Sequence, residues 1–159
     1  MSATGLQNLD SAVQKFNVWL KDLDERLRWD DRRKSYAVLK VTLHAIRDHL
    51  TVNQSAHFSA QLPLIIRGVY YEGWVPSRVP VKERQLQQFY DHIRHNYHQA
   101  PGGELIDPER LVRAVFELLN DHISAGEIDD IRSELPSAIL KIWPAPAETD
   151  GGGRPSPRA

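Results

Sequence analysis

The sequence contains no cysteine. This absence excludes disulfide scaffolds, thiolate zinc sites, cysteine-ligated iron–sulfur clusters and cysteine nucleophiles. No apolar run approaches the roughly 20 residues that a membrane-spanning helix requires. The first residues also lack the basic stretch and following apolar stretch of a secretory signal. We therefore expect a soluble cytoplasmic protein with no membrane partner.

The chain also lacks an excess of either charge. Its 20 lysines and arginines face 21 aspartates and glutamates, and the formal net charge is −1. No overall field therefore favours nucleic acid, a membrane or an acidic substrate. The one basic cluster consists of Arg26, Arg28, Arg32, Arg33 and Lys34. Carboxylates interleave with this cluster and largely cancel its field, so we expect no nucleic-acid partner.

Apolar residues at helical spacing dominate what is present. The 159 residues, 41% of them hydrophobic, suffice for a core without disulfides or a metal. One stripe with spacings of three and four comprises Leu9, Val13, Phe16, Leu20, Leu23 and Leu27. A second stripe comprises Tyr36, Leu39, Leu43, Ile46 and Leu50. Each stripe predicts an amphipathic helix, and Asp30 or Asp31 can cap the second one.

Two further helices are predicted in this half of the chain. Thr51 followed by Gln54 is the capping-box pattern of a third helix. Pro63 either kinks that helix or starts a fourth, Leu64–Tyr71, which Gly73 can close. The proline-containing residues 75–80 then predict a connector.

The second half of the chain repeats this plan at a constant offset of 73 in the numbering. The run Asp48-His49-Leu50-Thr51 recurs as Asp121-His122-Ile123-Ser124. Apolar positions keep the same offset, as in Leu39 and Val112, Leu43 and Phe116, Ile46 and Leu119, Phe58 and Ile131, and Tyr70 and Trp143. Asp107 and Pro108 predict the start of the helix that corresponds to the second one. Because cap chemistry and helical phase both recur, we predict an internal repeat.

The repeat predicts an all-α fold with two pseudo-symmetric helical halves packed as one bundle. The first half covers residues 6–74, the connector 75–80 and the second half 81–143. Residues 144–159 are rich in proline and glycine and cannot bury enough apolar surface to offset their ordering entropy. We predict that this tail is disordered.

The repeated Asp-His pairs are the first candidate site. They comprise Asp48, His49, Asp121 and His122. If the halves pack about a pseudo-twofold axis, two imidazoles and two carboxylates could bind a divalent metal or act as an acid–base set. In the simpler interpretation each histidine lies in the last turn of a helix and hydrogen-bonds terminal carbonyls. The sequence favours this structural interpretation.

Three further histidines form an H-x-x-H-x-x-H run. They are His92, His95 and His98. Helical spacing rotates the first well away from the third, and no carboxylate lies at a matching position. The corresponding residues of the first half are not histidines. We interpret the run as an exposed polar face.

An aromatic segment ends the first half. Its candidate interaction residues are Arg67, Tyr70, Tyr71 and Trp74. Tyrosine, tryptophan and arginine are enriched at interaction hot spots, so the segment could contact a partner or a second copy of the chain. The alternative is that Tyr70 and Trp74 close the core. We retain this segment as the preferred interaction surface.

Several motifs together resemble a known family. They are Trp29-Asp30-Asp31-Arg32-Arg33, Ala45-Ile46-Arg47-Asp48-His49-Leu50, Gln61-Leu62-Pro63-Leu64, the run from Arg67 to Trp74, and His122-Ile123-Ser124-Ala125-Gly126-Glu127-Ile128. The chain resembles the bacterial family called domain of unknown function 2267. The resemblance implies a small cytoplasmic all-helical bacterial protein and brings no reaction, cofactor or catalytic residue.

The sequence thus leads to two functional hypotheses. The preferred one is a non-enzymatic protein-interaction or regulatory module that acts through the aromatic segment or by self-association. The alternative is a metal- or small-ligand-binding protein, in one version hydrolytic, that uses the duplicated Asp-His pairs. The sequence names no cofactor.

Overall fold

The computed structural model of the protein describes residues 3–99 and 107–146. Within these ranges the chain forms eight α-helices, a short 3₁₀ helix and no strand. The α-helices are α1 (Gln7–Leu27), α2 (Arg32–Asp48), α3 (Val52–Ser59), α4 (Leu64–Tyr71), α5 (Leu86–Gln99), α6 (Pro108–His122), α7 (Ala125–Glu134) and α8 (Ser137–Ile142). The predicted all-α class is confirmed. None of the helices in these ranges is long and apolar enough to span a membrane.

Local capping chemistry sets the helix starts as predicted. The Asp31 side chain accepts from the backbone N–H groups at the start of α2. Thr51 and Gln54 form a complete capping box at α3. The Asp107 side chain accepts from the second residue of α6, and Pro108 is the first residue of that helix. These short side chains satisfy donors that have no partner within the helix.

Residues in and beside the predicted connector join the two halves of the chain. Pro63 lies immediately before α4, so it starts that helix and does not kink α3. Gly73 follows α4 with a φ of 72°, a conformation that suits glycine. Pro76–Arg78 forms the 3₁₀ helix, and the backbone N–H of Val81 then donates to the Asp48 carbonyl at 2.8 Å. Most of the predicted tail, from residue 147 onward, lies outside the described residues.

Helix α2 is the centre of the molecule. It contacts α1, α4, α5 and α6. Leu39, Leu43 and Ile46 of the predicted stripe are fully buried, and so are Val38 and Ala45 outside it. The prediction of one apolar face was therefore too narrow, because the four neighbours cover most of the helix circumference.

Helix α1 differs from its predicted stripe at one end. Leu23 and Leu27 are fully buried, whereas Val13 is 40% exposed. Trp19 lies outside the stripe and is only 1% exposed, because its ring stacks on His122 at the end of α6. The side chains that α1 buries in the core therefore come from its C-terminal part.

Helices from both halves share one core. Helix α1 packs on α6, α2 packs on α5 and α6, and α3 packs on α7. One continuous cluster of buried side chains includes residues of both halves. Because helices of one half pack on helices of the other, α2 and α5 lie side by side.

Candidate binding groove

The first Asp-His pair ends α2 and is partly buried. His49 is 5% exposed, and its Nδ1–H donates to the Ala45 carbonyl at 2.6 Å. Its ring lies edge-on to Phe89, with centroids 5.3 Å apart. Burial lowers the pKa of His49, while the nearby Glu83 carboxylate acts in the opposite direction. This carbonyl contact matches the predicted helix-end role.

The second Asp-His pair has other partners. His122 Nε2 lies 2.8 Å from an oxygen of Asp22, and its ring stacks on Trp19 with centroids 4.7 Å apart. The Asp121 carboxylate pairs with Arg26, which also bonds Asp22 at 2.7 Å. These ion pairs join α6 to α1.

The structure does not bring the two pairs into one ligand set. His49 and Asp48 contact Glu83 and α5, whereas His122 and Asp121 contact α1. Among the described residues, one group of three side chains lies close enough together to hold a metal ion. This group includes none of the four residues of the Asp-His pairs.

The predicted interaction segment is largely part of the folded body. Tyr70 is fully buried, and its hydroxyl donates to Ser55 at 2.9 Å. Arg67 donates to the carbonyls of Ser59 and Leu62. Tyr71 and Trp74 are half-buried, with ring centroids 5.2 Å apart. Tyr71 and Trp74 therefore expose part of their side chains to a partner, whereas Tyr70 does not.

A groove of about 740 Å³ follows the exposed side of α2. It is lined by Arg33, Tyr36, Ala37, Lys40, Val41, His44, Arg47, Asp48, His92 and Asn96. Ala37 and Val41 are buried and give it an apolar floor. Three of the lining side chains are cationic and one is a carboxylate. The volume falls in the range of ligand-binding clefts.

An ion-pair network fixes one end of the groove. Arg47 is buried and donates from Nε to Asp48 at 2.9 Å. Its Nη1 donates to the carbonyls of Tyr70 and Glu72 at 3.0 and 2.8 Å. The other Asp48 oxygen lies 3.7 Å from His92 Nε2 of α5. The buried guanidinium thus has compensating partners, as a buried charge requires.

The middle of the groove is tied to α4. His44 Nε2–H donates to the Val69 carbonyl at 2.7 Å, and burial lowers the pKa of His44. Lys40 pairs with the exposed Glu72 at 2.9 Å. Arg33 is exposed and has no ion pair with any described residue. The cationic surplus of the groove therefore lies at Arg33 and Lys40, near the start and middle of α2.

Sequence reasoning missed most of this site. The stripe predicted for α2 includes Tyr36 as an apolar position, and the sequence singles out neither Lys40 nor His44, although the three lie at intervals of four residues. A polar and aromatic stripe on a helix whose other positions are apolar is the pattern that indicates them. Of the H-x-x-H-x-x-H run, His92 lines the groove, whereas His95 and His98 are exposed.

The fold and site define an all-α protein with a mixed apolar and cationic groove between two helices. The chain belongs to the family described as Uncharacterized conserved protein (DUF2267), whose model matches residues 16–142. The match extends from within α1 to the end of α8, and it confirms the family indicated by the sequence motifs. No curated protein matches the chain.

Proposed function

We propose that the protein is a non-enzymatic interaction module whose α2–α5 groove binds an acidic, partly apolar segment of a partner protein. The observation that carries this proposal is the combination of a buried apolar floor with a surplus of cationic side chains. Amphipathic peptide segments bind such grooves by placing apolar side chains on the floor and charged ones at the edge.

Charge complementarity specifies an acidic occupant. Arg47 and Asp48 neutralise each other within the wall. Arg33 has no ion pair among the described residues, and Lys40 is paired with a carboxylate that is itself exposed. A ligand carboxylate can therefore bind Arg33 directly and replace Glu72 at Lys40, with little rearrangement of buried groups.

The aromatic segment has a supporting role in this proposal. Carbonyl groups of Val69, Tyr70 and Glu72 hold His44 and Arg47 in the groove wall. The half-buried side chains of the segment extend the surface available to a partner. Self-association through that surface stays a prediction, as do the cytoplasmic location and the bacterial origin.

We further propose that the halves at 6–74 and 81–143 derive from one repeated unit, with 75–80 as connector. The starts of α3 and α7 have the predicted offset of 73, and so do the starts of α4 and α8. In several residue pairs with this offset both members are buried. Examples are Leu43 with Phe116, and Tyr70 with Trp143. Matched burial at matched helix positions supports a common packing plan.

Peptide binding measured by fluorescence anisotropy tests the groove function. The probe is a labelled amphipathic peptide with leucine on one face and glutamate on the other. The expected result is saturable binding, which a matched peptide with lysine in place of glutamate lacks. Arg33→Glu and Lys40→Glu are each expected to weaken binding roughly fivefold, since rim charge pairs contribute about 1 kcal/mol.

The matched control is Lys15→Glu, which makes the same charge change at an exposed position of α1. It is expected to leave the affinity unchanged. If all three variants bind the acidic peptide with the affinity of the unmodified protein, the groove is not its site. Absence of saturable binding by the unmodified protein would also contradict the proposal.

A further inference from the structure

A second site lies where α3 meets α7. His57 is in the last turn of α3, and Glu127 and Asp130 are in the first turns of α7. One ligating atom from each of these side chains lies within 4.8 Å of the others. His57 Nε2 and Glu127 Oε2 are 3.5 Å apart.

The position of the Glu127 carboxylate departs from what local helix chemistry favours. The Ser124 side chain accepts from the Glu127 backbone N–H at 3.4 Å, which is half of a capping box. In α3 the corresponding Gln54 completes the box by accepting from Thr51 N–H at 2.9 Å. Glu127 instead directs its carboxylate towards His57 on the other helix.

This arrangement leaves a buried carboxylate oxygen unsatisfied. Glu127 Oε2 is itself inaccessible to solvent and accepts no hydrogen bond from the described residues, whereas the Glu127 side chain as a whole is 32% exposed. Arg132, the nearest cationic residue along α7, pairs with Asp129 and donates to the Trp143 carbonyl. A buried carboxylate oxygen without a donor is unfavourable, and a bound cation removes that cost.

We propose that His57, Glu127 and Asp130 bind a divalent first-row transition metal such as Zn²⁺. An imidazole nitrogen with two carboxylate oxygens is a ligand set that suits these ions, and two carboxylates offset the dipositive charge. Tetrahedral bonds of about 2.1 Å place ligand atoms roughly 3.4 Å apart, close to the observed His57–Glu127 separation. Asp130 is exposed and needs only a side-chain adjustment to join them.

The proposed metal would link the two halves of the chain. His57 and Asp130 are related by the repeat offset and so occupy corresponding positions in the two proposed repeat units. The ion would crosslink α3 to α7, with water completing its coordination. This role is independent of the groove, because none of the three ligands lines it.

Calorimetric titration of the tag-free full chain with ZnCl₂, after removal of metal with EDTA, tests the site. The expected result is one ion per chain. His57→Ala and Asp130→Asn are each expected to weaken binding about tenfold or more, since a direct ligand contributes at least as much as the outer-shell partners whose loss costs about 10–100-fold. Zn²⁺ is also expected to raise the Tm of the unmodified protein more than that of the His57→Ala variant.

His95→Ala is the matched control, since His95 is another exposed helical histidine. It is expected to bind Zn²⁺ as the unmodified protein does. His57 is 52% exposed, so its replacement leaves the fold intact and circular dichroism can verify this. Unchanged affinity in His57→Ala, loss of affinity in His95→Ala, or no saturable binding to the unmodified protein would each overturn the proposal.

Discussion

At the scale of single residues, burial determines how the histidines of α2 behave. His44 and His49 each donate to a backbone carbonyl and have pKa values lowered by burial. His122, which corresponds to His49 in the second half, binds the Asp22 carboxylate instead. The same Asp-His pair therefore makes different contacts in the two halves, because different helices pack against each copy.

The lowered pKa values predict loss of stability in mild acid. In the unfolded chain both histidines take up protons near their ordinary pKa of 6.5, whereas the folded protein resists protonation. The unfolded state then binds more protons, so the free energy of unfolding falls as pH decreases from about 7.5 to about 5.5. Urea denaturation at a series of pH values measures this dependence.

The contribution of His49 can be separated by substitution. His49→Gln is expected to flatten the pH dependence, whereas His95→Gln at an exposed position leaves it unchanged. A pH profile that is the same for His49→Gln and the unmodified protein would contradict the assignment to His49.

Trp143 provides a second prediction at this scale. Its ring is 1% exposed and stacks on Phe116 with centroids 4.3 Å apart, and its Nε1 donates to Asn120 at 2.8 Å. Trp143→Ala is expected to cost about 3–5 kcal/mol of unfolding free energy. Trp143→Phe is expected to cost roughly 1–2 kcal/mol, since it removes the hydrogen bond and part of the ring.

Trp74→Phe is the control for the hydrogen bond. Trp74 is half-buried, and its Nε1 bonds no described residue. Its replacement is therefore expected to cost less than about 1 kcal/mol. Equal losses for the two Trp→Phe variants in urea denaturation would contradict a stabilising contribution of the Asn120 bond.

At the scale of secondary-structure elements, two corresponding caps differ in completeness. The double variant Thr51→Ala/Gln54→Ala is expected to destabilise the protein by about 1–2 kcal/mol, because both bonds of the capping box are lost. Ser124→Ala is expected to cost about half as much, since only the Ser124 acceptor bond is present. Chemical denaturation of both variants measures the difference.

Gln54→Ala supplies the control, because it removes only the reciprocal bond from the α3 box. It should account for the difference between the double variant and Ser124→Ala. Equal costs for the double variant and Ser124→Ala would contradict the structural distinction.

Helix positions follow from the sequence because their causes are local. Stripe spacing, short polar caps and prolines act within a few residues, and they predicted the helices and the starts of α2, α3 and α6. The orientation of Glu127 did not follow from the same rules. Its carboxylate responds to His57, which lies on a helix in the other half of the chain.

At the scale of the whole molecule, the groove could not be derived from one helix alone. The sequence pattern predicts which residues of α2 are polar, but the groove exists because His92 and Asn96 of α5 lie opposite them. That pairing depends on the tertiary arrangement of α1, α2, α5 and α6. The same arrangement buries residues of α2 that lie outside its predicted stripe, such as Val38 and Ala45.

Because the helices of each half pack on those of the other, we expect that neither half is stable alone. In an isolated fragment of residues 1–80, the faces of α1 and α2 that contact α5 and α6 would be exposed to water. The fragment is expected to show little helical circular dichroism, and mixing it with residues 81–159 should restore the helical spectrum. Cooperative thermal unfolding of the isolated fragment would contradict this expectation.

The contact between α1 and α6 also bears on how the protein is made. The ion pair of Arg26 with Asp121 joins residues 95 positions apart, so it cannot form until most of the chain has left the ribosome. Helical proteins with mainly local contacts fold fastest, and this closure is distant in sequence. During synthesis, the face of the Trp19 ring that His122 covers therefore stays uncovered until the end of α6 has emerged.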